Sequence, residues 1–272
     1  IRHYEKMFYA VLGAIMLVAG TGCCDKGQKA GKVVTYPFAL NIASAEFGHV
    51  IPGVYDKHYI YPGVEDLDYA LGKGFELVRV PFKWERLQGA LDGPLKDPDL
   101  ADLKRFVQQA ADRGIQVILD LHNYGRYALD GSHELIGTHG IEIWHLADFW
   151  QKIAVEFRDF PNIYGYALMN EPHDMSPETP WKSIAQAAIY AIREGDPRLP
   201  SSSAVTAGAR PNAGWRRWTN SLPNLSRNNI NGAYWAAGPW WPDDHFMAVK
   251  PVGGQDRPQM KVLEKYLWTE PK

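Results

Sequence analysis

The chain is predicted to fold as an α/β protein built on a parallel sheet, and three observations carry this. Short apolar runs rich in Val, Ile and aromatic residues recur along the sequence, each ending abruptly at polar residues. Amphipathic stretches of helical period separate them, and repeated strand-then-helix units imply right-handed parallel crossovers. No Gly-rich phosphate loop follows any run, which favours a barrel over a doubly wound sheet. At 272 residues with a formal net charge of -2, the chain has the size of one barrel domain. That charge suits neither a nucleic-acid surface nor an acidic disordered tail.

In chain order, Phe38–Ser44 reads as the first strand, with Glu46 at its tip. His49–Pro62 is rich in Tyr, Gly and Pro and reads as a loop over one face. Val64–Lys73 is an amphipathic helix stopped by Gly74. Glu76–Phe82 is a second strand with Arg79 embedded in it, and a buried cation needs a partner. Asp99–Arg113 is a helix expected to be capped by Asp99. Ile115–Leu121 is a third strand ending in His122 and Asn123. Gly125–Gly140 reads as a long loop. Glu142–Asp159 is a helix with Trp144, Phe149, Trp150, Ile153 and Phe157 on its apolar stripe.

The stretch Asn162–Asp174 is the most informative. The apolar run Ile163–Met169 stops at Asn170-Glu171-Pro172. Pro172 lacks an N–H and disfavours helix at Glu171, so the strand must end there. A carboxylate is thereby placed at the C-terminal tip of a buried strand, which is where barrels do chemistry. A helix follows over Pro180–Glu194, then a weak fifth strand at Ser202–Ala207. Ile230–Ala236 is a last strand, Ala237–Trp241 an aromatic loop beyond it, and Pro258–Leu267 a terminal helix. The expected architecture is therefore of the (β/α)8 type with about six of its eight units.

The sequence holds 10 Trp and 14 Tyr, and rings of this kind stack on the apolar faces of sugars as readily as they fill a core. Its two cysteines, Cys23 and Cys24, are adjacent and cannot staple the domain. Positive charge at Arg2 and Lys6, the apolar stretch Phe8–Val18 and small residues before Cys23 have the layout of a secretory signal. A lipoprotein site with Cys23 as the lipidated residue is expected, an ordinary signal cut nearby being the alternative. Residues 1–35 are then signal, anchor and tether, and residues 36–272 the barrel, placing the protein outside the cell or in its envelope.

With these residues in view the chain resembles glycoside hydrolase family 5, the cellulase family. The resemblance rests on Arg79–Leu87, Asp120–Tyr127, Met169–Asp174 and Tyr234–Trp241. It implies a retaining glycosidase acting on β-1,4-glucans, without cofactor or metal, working as a monomer. By it, Glu171 resembles the general acid/base and Asn170 the residue that bonds the sugar 2-hydroxyl. His122 and Asn123 would line the groove, Arg79 would sit beneath the carboxylates, and Trp235 would floor the sugar site, with Trp240 and Trp241 extending it. The family also carries a Gly-Glu strand end that supplies the nucleophile. Asn212–Asn229 contains no Glu, Asp or His, so no nucleophile is found and an internal deletion is expected. The alternative function is a catalytically impaired glucan-binding barrel. The histidines do not fall at metal-ligand spacing.

Overall fold

The computed structural model describes residues 38–198, 232–245 and 247–264. The fifth strand expected at Ser202–Ala207, the segment Asn212–Asn229 and Cys23 all lie outside the described residues. Within them the strands are β1 (Phe38–Ile42), β2 (Leu77–Phe82), β3 (Gln116–Leu121), β4 (Arg126–Leu129), β5 (Ser132–Leu135), β6 (Ile163–Ala167) and β7 (Gly232–Ala237). The helices are α1 (Val64–Gly72), α2 (Trp84–Leu87), α3 (Asp97–Ala111), α4 (Ile143–Phe157), α5 (Trp181–Gly195) and α6 (Pro258–Leu263).

Five strands form one parallel sheet in the order β6-β3-β2-β1-β7. Successive β/α units lie side by side from β1 through β6, and the last strand returns to pair with the first. A doubly wound sheet also sets a later strand on the far side of its first, and the parallel pairing of the last described strand with β1 is equally the pairing that a barrel's closing strand makes. Between β1 and β7 the register shifts, pairing Asn41 with Trp235 but Ile42 with Ala237, so Ala236 is an extra residue. Bulges of this kind re-aim neighbouring side chains. Gly238 follows with φ +135°, and a Cβ there would lie 1.9 Å from the Ala43 carbonyl oxygen, so the close approach of β7 to β1 requires glycine.

The core lies between the sheet and its helices. Phe82, Trp84, Phe149, Trp150, Phe157 and Phe106 are fully buried. Trp150 packs edge-on to Phe82 and Tyr166, and its indole N–H donates to the Leu168 carbonyl at 3.1 Å. This bond ties α4 to the segment that leads into Asn170.

Three expectations are corrected. Gly125–Gly140 is not simply a loop: β4 and β5 form an antiparallel hairpin within it. Asp99 does not cap its helix, which begins at Asp97 after Lys96; it accepts a 2.7 Å hydrogen bond from the Tyr59 hydroxyl instead. Trp144 is 53 % exposed rather than on the apolar stripe of α4. It lies one residue into the helix, where it covers His145. Among the described residues no helix is long and apolar enough to cross a membrane.

Trp150→Ala removes a large buried ring and its hydrogen bond. It is expected to cost about 3–5 kcal/mol in a denaturant titration, whereas a loss under about 1 kcal/mol would contradict the packing described.

Candidate active site

The site is built at the C-terminal ends of the strands around one buried cation. Arg79 lies in mid-strand in β2 and is 4 % exposed. Its Nη1 donates to Asn41 Oδ1 at 2.6 Å, and its Nη2 donates to Asn170 Oδ1 at 3.0 Å. The same Nη2 lies 2.5 Å from Asp120 Oδ1. The last contact is an ion pair without hydrogen-bond alignment, since Oδ1 has no aligned donor. The partner that the buried Arg79 requires is thus Asp120 in β3, a residue the sequence reading did not single out.

Asp120 also holds His122. Its Oδ2 lies 2.8 Å from His122 Nδ1, and both side chains are buried. Burial pushes the imidazole down to about 4, outweighing the opposing pull of Asp120. The ring is therefore neutral at pH 7, with its proton on the Nδ1 that faces the carboxylate, and Nε2 is left as an acceptor. His122 stacks on Trp235, with ring centroids 5.1 Å apart and planes 29° from parallel, and meets Tyr124 edge-on at 5.3 Å.

The strand before Glu171 is shorter than expected: β6 ends at Ala167 rather than at Met169, and Glu171 follows four residues later in the segment beyond it. The Asn170 N–H donates to the Leu121 carbonyl at 2.7 Å, which extends the β6 segment alongside the end of β3. At Glu171 the backbone turns into the left-handed region with φ +42°, and Pro172 follows. That conformation costs a non-glycine residue about 1–3 kcal/mol, and such positions cluster at functional sites. The Tyr124 hydroxyl is raised first by burial and then by the charges of Glu171, Glu46 and Asp120. Tyr124 therefore lies within electrostatic reach of all three carboxyl groups.

Other residues at the strand tips play supporting roles. Asn123 lines a cavity of about 430 Å³ together with Lys83, Glu85, Tyr124, Arg126 and His173. Its amide is spent internally, however. Oδ1 accepts from the Trp84 N–H at 3.0 Å, and Nδ2 donates to both Glu85 carboxylate oxygens at 2.9 Å. Asn123 thus joins β3 to α2 and is not poised to bind a ligand with its amide. Trp241 does not lie coplanar with Trp235; it meets that ring at 89° and Phe47 at 85°, and its indole N–H donates to Ala237. It is a side wall, not a continuation of a flat platform. Trp240 is partly exposed in the turn beside it. Glu46 is 6 % exposed; one carboxyl oxygen accepts from the Ser44 N–H at 2.8 Å and the other has no partner. Burial pushes its pKa up to about 8, against backbone hydrogen bonds and Lys83 that lower it.

Arg86 was absent from the sequence reading of the site. Its guanidinium donates to the carbonyls of Ala45, Phe47 and Pro52 and lies 3.6 Å above the Tyr59 ring. It staples the loop after β1 over the mouth of the sheet. Its place in a polar run after a strand, Lys83-Trp84-Glu85-Arg86, was the available signal. Among the described residues no three His, Cys, Asp or Glu side chains are grouped to hold a metal ion.

Comparison with known proteins agrees with this geometry. The family described as Cellulase (glycosyl hydrolase family 5) matches residues 55–237. The chain belongs to glycosyl hydrolase family 5. It is 31 % identical over 213 residues to endo-beta-1,4-glucanase B of Emericella nidulans, covering 78 % of this chain and 60 % of that one. It matches 53 % of the Aspergillus niger endo-beta-1,4-glucanase B at 33 % identity, so it spans about half to three-fifths of these relatives' length. The Pseudomonas stutzeri endoglucanase Cel5A in complex with cellobiose superposes with a TM-score of 0.73 at 29 % identity, covering 86 % of this chain and 93 % of that one. The family fold is the β/α barrel, to which the five parallel strands belong.

Two outcomes follow from the electrostatics. Asp120→Asn leaves Arg79 buried without its counter-charge and is expected to cost about 3–5 kcal/mol by chemical denaturation; a loss near zero would show that the pair is solvated. Glu46 is neutral in the fold but ionises in the unfolded chain above about pH 4.5, so folding stability falls as pH rises from there to about 8. Glu46→Gln removes that slope. The melting temperature of the variant is expected to gain on the wild type steadily across this range, and parallel curves would contradict the assignment.

Proposed function

We propose that the chain hydrolyses internal β-1,4 linkages of glucans with retention of configuration, Glu171 acting as the general acid/base. The observation that carries this reading is the setting of Glu171. It follows an Asn170 whose amide oxygen is taken by Arg79, so that the amide N–H2 is the side turned to a ligand. Across the site, neutral His122 offers an acceptor and lies against the Trp235 ring. An amide donor, an imidazole acceptor and an indole at the strand tips, with Glu171 in electrostatic reach of the Tyr124 that meets His122, suit an uncharged sugar. The names borne by the relatives, endo-beta-1,4-glucanase and endoglucanase, support the glucan and the internal position of cleavage.

In retaining hydrolysis one carboxyl protonates the departing glycosidic oxygen while a carboxylate about 5–5.5 Å away attacks the anomeric carbon. Glu171 then returns as base to activate water. The second group is not identified among the described residues. Glu46 is held neutral, Asp120 is paired with Arg79, and Glu85 is saturated by Asn123 and the Ala128 N–H. Residues 199–231 contain no acidic side chain. These facts motivate a second reading, a glucan-binding barrel without turnover, in which Trp235, Trp240 and Trp241 still meet the polysaccharide. The stretch before Cys23 supports export, with Cys23 as the site of lipidation; metabolic labelling with palmitate and its loss in Cys23→Ser test that assignment.

The purified chain is expected to lower the viscosity of a soluble β-1,4-glucan and to release β-anomers first by NMR. Glu171→Gln should reduce the rate by about 10²–10⁴-fold. Retardation by the glucan in a native gel with no cleavage would sink the hydrolase and establish the binding barrel.

A further inference from the structure

The cavity of about 430 Å³ beside the Glu171 loop is lined by nitrogen-bearing side chains from five segments: His49 after β1, Lys83 after β2, Arg126 in β4, His133 in β5 and His173 after β6. Its one lining carboxylate, Glu85, is 3 % exposed and already saturated. Both its oxygens accept from Asn123, and Oε1 also accepts from the Ala128 N–H at 2.6 Å. Asp174, near Arg126 and His173, is outside the lining and its side chain is 74 % exposed. Arg126 and Lys83 both retain donors; burial lowers the Lys83 ammonium from its ordinary value, while the charges of Glu85 and Glu46 hold it up. Lys83 Nζ gives one proton to the His122 carbonyl at 2.6 Å, and an ammonium has three. Arg126 donates to the Tyr124 carbonyl at 2.8 Å through Nη1 and reaches His173 and Asp174 only at 3.4–3.9 Å.

A sugar hydroxyl both donates and accepts, and a pocket for plain glucose units is expected to offer free acceptors as well as donors. This cavity offers the N–H donors of Arg126 and Lys83 beside three imidazoles and the Tyr124 hydroxyl, and its carboxylate is already hydrogen-bonded to Asn123 and Ala128. An ionised oxyanion only accepts, and a carboxylate, planar with two oxygens, matches a guanidinium. We propose that this cavity is a subsite for a carboxylate-bearing glucan residue, with Arg126 and Lys83 as its recognition residues. The inference rests on the glucan-binding reading above but not on turnover.

Affinity electrophoresis of the full chain at pH 7 in gels containing carboxymethyl-cellulose or hydroxyethyl-cellulose tests it. The net charge of -2 gives the chain no generic attraction to a polyanion. The wild type is expected to be retarded about tenfold more strongly by the carboxymethyl polymer, the factor for one charge-assisted hydrogen bond. Arg126→Gln should bring the two polymers to parity, Lys83→Gln should narrow the difference, and Arg126→Lys should keep most of it. Equal retardation of the wild type by both polymers overturns the subsite and leaves glucan binding standing, as does a preference that survives Arg126→Gln. Retardation by neither polymer overturns the subsite and the glucan reading together.

Discussion

A guanidinium in the middle of a parallel sheet cannot be left unsolvated, and the arrangement of the site follows from how Arg79 is satisfied. Its ligands are Asn41 of β1, Asp120 of β3 and Asn170 at the end of the β6 segment, so one side chain fixes the relative depth of four neighbouring strands. Desolvating an ion costs several kcal/mol; here the two terminal nitrogens of Arg79 take all three partners, and its buried Nε has no hydrogen-bond partner. Each partner is in turn oriented by the bond it makes. Asn170 presents its amide nitrogen because its oxygen is occupied, and Asp120 fixes the tautomer of His122 because its second oxygen is free to accept. The geometry around Glu171 is thus inherited from a solvation requirement one layer below it.

Burial has opposite signs on two titratable groups of the site and the same result. It raises Glu46 and lowers His122, and both are uncharged near neutral pH. The ionised pair Arg79–Asp120 is internal and self-compensating. The face toward a ligand is therefore largely uncharged around Trp235 and His122, which suits a neutral sugar ring, while the cations Lys83 and Arg126 stand with the hydrogen-bonded Glu85 around the cavity beside it. The division of the mouth into a neutral part and a cationic part is a consequence of which carboxylates are already used.

Much of the sheet was legible because its strands are buried on both faces. Val78, Val80, Val117 and Leu119 form apolar runs that no amphipathic helix would need, and Asn170-Glu171-Pro172 ends such a run without ambiguity. The place of Glu171 beyond the end of a strand followed from that alone. The partner of Arg79 did not, since Asp120 and Arg79 lie 41 positions apart and only strand register brings them together. The hairpin β4–β5 is not legible in the sequence because its strands are four residues each, too short for an alternation to show between the surrounding glycines. Asn123 and Trp241 have residue types that suit a groove, but the first is bonded to Glu85 and the second stands on edge to Trp235. Sequence order shows which residues reach a strand tip and not which way they turn there.

NMR of the imidazole nitrogens of His122, assigned against a His122→Gln variant, tests most directly whether a buried ion pair organises this site. The account predicts a single tautomer protonated at Nδ1 that resists titration until about pH 4. A ring that titrates near the ordinary value of about 6.5, with both tautomers populated, would contradict it.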